Sequence, residues 1–182
     1  ITGGEMIYQY LGPGSAPNTK SYRITLKLFR DNLGGGAAMP GVVRIGIFNN
    51  DNNSHISFSP FDISLTSTSQ VPVTPPPVCM TNPPQLDYSV GVYEFVIDLP
   101  DNQNGYTATY QTCCRINGLA NMGNSTGSTY TCNIPGTNSL GTENDSSPEF
   151  GVPVNVVCRN APFTLNFAAI DPDPGDSLVY SL

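Results

Sequence analysis

The chain has 182 residues, of which 18 are Gly and 17 are Pro, while Lys, Arg, Asp and Glu together supply only 12%. Gly and Pro weaken helix interiors by roughly 1 and 3 kcal/mol relative to Ala, and an ordinary domain is about one quarter charged, so a helical protein with a salt-bridged surface is excluded. Net charge is −7 and only seven basic residues exist, scattered along the chain, which excludes the cationic stripe that nucleic acid or an anionic membrane surface requires.

The first alternating runs are residues 5–10 and Tyr22, Ile24, Leu26 and Leu28, the latter set against Arg23, Thr25, Lys27 and Phe29. Period two predicts half-buried antiparallel strands. Val43, Ile45 and Ile47 repeat the pattern around Arg44 and Gly46, and residues 55–65 are a further candidate. Val71–Val78, with Pro72 and Pro75–Pro77, is no central strand and is expected to run as an extended connector. Gly91, Tyr93, Phe95, Ile97 and Leu99 alternate again, and so do Tyr106, Ala108 and Tyr110. With only Asp101–Gly105 between them, these two strands are expected to pair with each other. Residues 127–134, 152–158, 162–170 and 177–182 complete the series. About ten short strands, punctuated by Gly12-Pro13-Gly14, Gly34-Gly35-Gly36 and Asn49–Asn53, predict an all-β fold: an antiparallel β-sandwich of immunoglobulin-like type.

Asn138–Pro148 is polar and nearly free of β-formers, as a linker is. The expected organisation is a sandwich over residues 1–145, then linker and the incomplete start of a second immunoglobulin- or cadherin-like domain over 146–182. Three strands cannot close a sandwich, so Leu182 is expected to be followed by further chain. No run approaches the ~18 apolar residues that span a bilayer, so membrane insertion is not expected. The N-terminus lacks a basic start and apolar block, so in an exported protein the leader has already been removed.

Five cysteines, Cys79, Cys113, Cys114, Cys132 and Cys158, lack the CxxC or His spacing of a zinc site, and disulfides in an oxidising compartment fit them better. Cys113 and Cys114 are adjacent, face opposite sides of a strand and need different partners. Cys79 could reach one and Cys158 the other, stapling the second unit to the first. Cys132 is then the unpaired thiol, although spacing leaves the connectivity open. The sharpest acidic constellation is Asp171-Pro172-Asp173-Pro174-Gly175-Asp176, where Asp171, Asp173 and Asp176 are candidate calcium ligands of an incomplete site. Calcium takes six to eight oxygens, and the plainer reading is a self-capping turn. A single His, His55, without a G-x-S-x-G elbow and four Glu without paired context predict no catalytic residue and no enzyme.

Several segments together resemble a known group. These are Ile1–Glu5 with Tyr8–Leu11, Tyr22–Asp31, Tyr110-Gln111 with Cys113–Asn117, Ser146-Ser147-Pro148, and Asp171-Pro172-Asp173 with Gly175–Leu182. In that order they resemble the N-terminal region of large Bacteroidota cell-surface proteins that carry a gliding-motility-associated C-terminal domain. The resemblance implies tandem immunoglobulin-, PKD- or cadherin-like domains, export by the type IX secretion system, and a place on the exterior of the outer membrane. Asn32 stands where the group often has Cys, as do residues 85–89, and Cys132 is not one of its usual positions. The implied function is a non-enzymatic adhesin or surface-filament component serving attachment and gliding, with a polysaccharide or protein ligand and the following domains of the same chain as partners. Two other readings are a fibre or pilus subunit completed by strand exchange and a glycan-binding accessory module.

Overall fold

The computed structural model describes residues 1–113, 126–140, 144–151, 156–158, 160–164 and 166–180. Nine strands make the main body: β1 (Gly3–Pro13), β2 (Thr19–Asp31), β3 (Val42–Asn49), β4 (Ser54–His55), β5 (Phe61–Ser64), β6 (Ser67–Gln70), β7 (Tyr88–Pro100), β8 (Tyr106–Thr112) and β9 (Ser128–Ile134). They form two antiparallel sheets. One has the order β1-β2-β7-β6, and the other runs β4-β3-β8-β9 with β5 beside β3. With the short β4 and β5 set aside, the other seven strands lettered A to G in chain order give the A-B-E-D and C-F-G arrangement of an immunoglobulin-like sandwich.

The core lies where the inward faces meet. Tyr22, Ile24, Leu26 and Leu28 of β2 oppose Val43, Ile45 and Ile47 of β3, with Tyr93 and Leu99 from β7, Ala108 from β8 and Ile134 from β9. The outward residues of β2 are used differently: Arg23 donates to Gln9 at 3.2 Å on β1, and Lys27 lies between Glu5 and Glu149.

The expected pairing of the two strands around Asp101–Gly105 is corrected. β7 pairs with β2 and β6, whereas β8 pairs with β3 and β9. The connecting segment crosses from one sheet to the other because its own polar groups hold it in a corner. Asn102 Oδ1 accepts from the Gly105 amide at 2.8 Å, and Asp51 accepts from the Gln103 and Asn104 amides. Gly105 has φ +76°, and a Cβ there would collide with the Ile134 carbonyl. Tyr106 then donates to the Pro100 carbonyl at 2.7 Å, the tyrosine corner of such folds.

Residues 55–65 are two short strands, β4 and β5, rather than one, broken at Ser59-Pro60. The linker expectation also changes. Thr137–Leu140 is a short helix, α1, and residues 145–150 lie along the outer edge of β1. The second unit contributes two two-residue strands, β10 (Glu149–Phe150) and β11 (Ala169–Ile170), paired antiparallel. Of the longer strands expected there, 156–158, 162–164, 166–168 and 177–180 carry no regular strand, and residues 152–155, 165 and 181–182 lie outside the described residues. Among the described residues, no helix is long and apolar enough to cross a membrane.

Candidate functional site

A set of long-range polar contacts joins the sandwich to the second unit, and it is assembled on β1. As an edge strand, β1 has unpaired amides and carbonyls on one side. Residues 146–150 satisfy several of them. Ser147 donates its amide to the Tyr8 carbonyl at 2.9 Å, while the Tyr8 amide donates to Ser147 Oγ at 2.9 Å. The Tyr10 amide donates to Ser146 Oγ at 3.2 Å, and the Phe150 amide to Glu5 Oε1 at 3.1 Å. Lys27 completes this strap through an ion pair with Glu149 and another with Glu5 at 3.8 Å.

The acidic turn docks on the strap. Asp171 Oδ1 accepts from the Asp173 amide at 2.9 Å, and Gly175 takes φ +105°, which suits a residue without Cβ. Asp173 reaches outward, accepting from the Ser146 amide at 2.5 Å. Carboxylate oxygens of Asp145, Asp173 and Asp176 then all lie within 4.8 Å of one another. Asp171 is not in this group; its carboxylate is spent capping the turn. Its place is taken by Asp145, which arrives from the strap and accepts a hydrogen bond from the Tyr8 hydroxyl. Burial raises the Asp145 carboxyl above its ordinary range, opposed by the Tyr8 hydrogen bond and reinforced by the neighbouring Asp173, Asp176 and Asp171 charges. Tyr8 is pushed far up, first by burial and then by Asp145.

A covalent fastening lies elsewhere in the same joint. Cys79 and Cys158 form a disulfide with Cα atoms 6.6 Å apart across 79 residues, inside the usual Cα range. In the chain-entropy model, closing such a loop contributes roughly 4 kcal/mol. The expectation that each would meet Cys113 or Cys114 is corrected, because the proline-rich segment sets Cys79 against Cys158 and its neighbours Val156 and Val157. Pro77, Val156, Val157, Pro162 and Phe163 line the space around the bridge. The inference that Cys158 staples the second unit to the first agrees with this geometry, through a different partner. Cys113 is exposed just past the end of β8, and Cys114 lies outside the described residues. Cys132 is a free thiol, 7% exposed, and burial pushes it up to about 12.

Sequence reasoning missed Asp145, Tyr8 and the Glu5–Lys27–Glu149 group. Asp145 sits beside Ser146-Ser147 in a stretch whose composition reads as solvated linker. A spacing signal could not have revealed it, since its partners are 28 residues downstream and at the other end of the chain. No family model, no curated protein and no solved structure matches the chain.

Proposed function

We propose that the chain is a non-enzymatic adhesive unit of a large protein on the cell exterior, exported by the type IX route, serving attachment and gliding. The observation that carries this reading is the double fastening of the sandwich to the unit that follows. A strap of hydrogen bonds along β1 and the Cys79–Cys158 bridge both cross the same joint. A module that passes tension to its neighbours gains from such reinforcement. A disulfide also belongs to an oxidising, extracellular setting. The surface of Asn, Ser and Thr with few charges gives solubility without indiscriminate electrostatic sticking.

Calcium belongs to this reading as a third fastener. Three carboxylates within 4.8 Å repel one another, and their hard oxygens suit calcium. Asp173 and Asp176 from the turn and Asp145 from the strap would hold it, so the ion would tie the two units together. Its other ligands would be carbonyls, water or neighbouring chain.

The test is made on cells producing the full protein. Antibody raised against residues 1–182 is expected to label intact cells, and deletion of this segment is expected to lower attachment to polysaccharide-coated glass under flow. Labelling only after permeabilisation, or attachment unchanged by the deletion, overturns the reading.

A further inference from the structure

Away from the joint, an open cleft of about 560 Å³ lies between β4, β5 and the end of β7, within the ~300–1,000 Å³ typical of small-molecule sites. Its lining includes Phe58, Phe61, His55, Asn52, Ser57 and Asp98. Phe58 is the unusual member. It is 92% exposed, and its backbone is held at φ +67°. A bulky side chain in the left-handed region is a steric outlier, and such strain persists only where the surroundings impose it, most often at ligand sites. Here the surroundings are visible. Ser59, its neighbour, donates its amide to the Ile56 carbonyl at 3.1 Å, accepts from the Ile47 amide at 2.8 Å, and meets His55 Nδ1 at 2.9 Å. Glycine would sit at position 58 without strain, and a polar side chain would suit water better. Neither the fold nor solubility accounts for phenylalanine there.

The polar groups around it are part used and part available. Asn52 Oδ1 is engaged by the Ser54 amide and hydroxyl, which fixes the side chain and leaves its Nδ2 unbonded among the described residues. His55 is oriented through Nδ1, which leaves Nε2, and it packs on Phe48 with ring centroids 4.1 Å apart. Ser57 has no hydrogen-bond partner among the described residues. Asp98 borders the cleft, but its side chain alternates with the inward Ile97 and Leu99, and its carboxylate turns to the Ser15 amide and hydroxyl at 2.7 and 2.6 Å on the other face. No Lys or Arg lines the cleft, so an anionic ligand would meet no compensating cation. An exposed aromatic plate beside an oriented amide and imidazole and an open hydroxyl matches one ligand chemistry closely. A sugar ring presents an apolar C–H face and a rim of hydroxyls that both donate and accept.

We propose that this cleft binds units of a neutral polysaccharide, with Phe58 against the face of a sugar ring and Asn52, His55 and Ser57 reading its hydroxyls. This deepens the adhesive reading and rests on it, since it names the class of ligand. The test uses the complete 182-residue chain on an array of neutral and uronate- or sulfate-bearing oligosaccharides, followed by titration calorimetry on retained sugars. The expected result is retention of neutral members only, with Phe58→Gly weakening binding at least tenfold while its thermal midpoint stays equal or rises. A midpoint that does not fall separates a lost contact from a lost fold, because relief of strain at a positive φ offsets the extra unfolded-state entropy that glycine brings. A blank neutral array, retention confined to anionic sugars, or Phe58→Gly binding as tightly as the parent each overturns the cleft. Cell attachment under flow is a separate readout, so failure of the cleft and failure of the adhesive reading are distinguishable.

Discussion

The hydroxyl of Tyr106 reaches back to the carbonyl of Pro100 at 2.7 Å, closing the corner where the chain leaves one sheet and enters the other. Two residues on, the buried position of this strand is Ala108, where antibody-type domains carry the second cysteine of their inter-sheet bridge. The corner therefore works without the bridge. Tyr106→Phe is expected to lower unfolding stability by about 1 kcal/mol, the usual net value of one such hydrogen bond. Urea titration should show a reduced midpoint with an unchanged slope. A midpoint equal to the parent's would remove the corner as a stabilising contact.

The disulfide sets how far the chain can be drawn out. Pulled through its two ends, the oxidised protein hides the 78 residues between Cys79 and Cys158 (158 − 79 − 1), and 182 less 78 leaves 104 free to extend. At ~3.5 Å per residue, single-molecule force spectroscopy should find a limit of about 360 Å, rising to about 640 Å with reductant. Equal lengths in both conditions would contradict the bridge.

The acidic cluster should respond to calcium. Saturating calcium, about one hundred times its dissociation constant, is expected to raise the thermal midpoint by about 5–10 °C over chelator. Asp145→Asn should abolish that rise, while Asp171→Asn, which keeps a turn-capping oxygen, should preserve it. A midpoint indifferent to chelator removes the metal from the joint.

Alkaline pH should unfold the protein through its buried phenols. Burial pushes Tyr22 and Tyr93 up to about 12, from an ordinary value of 10.0. Below about pH 10 both folded and unfolded chains keep these protons, so the contribution to stability is complete. As pH rises from about 10 towards 12, the unfolded chain releases protons that the fold retains, and stability falls. Tyrosinate absorbance near 295 nm should therefore appear in two stages, exposed phenols first and the buried ones together with loss of near-ultraviolet circular dichroism. A single smooth titration with the fold intact would refute this.

Much of the sandwich is legible in the residues, and the part that is not has physical causes. Alternation in Tyr22–Leu28, Val43–Ile47 and Tyr93–Leu99 reports which face is buried, and those faces form the core. It does not report which strands are neighbours, so β7 and β8 read as a hairpin although hydrogen bonds from Asn102 and Asp51 send them into different sheets. Ser67–Gln70 was missed because all four residues of β6 are exposed and polar, leaving no period to detect. The joint is harder still. Its Asp173 stands out in the turn alone, but Asp145, Ser146 and Ser147 act through hydroxyl, carboxylate and backbone groups that look the same in a linker as in a latch.

The strap on β1 also decides what the molecule can do to its neighbours. A bare outer strand is an invitation to another chain, and fibres grow when that invitation is accepted again and again. Here Ser146 and Ser147 already occupy the seat at Tyr8 and Tyr10, so an incoming strand would have to evict a resident tethered to the same backbone. At this edge, neighbouring copies can thus lie side by side without joining strand to strand.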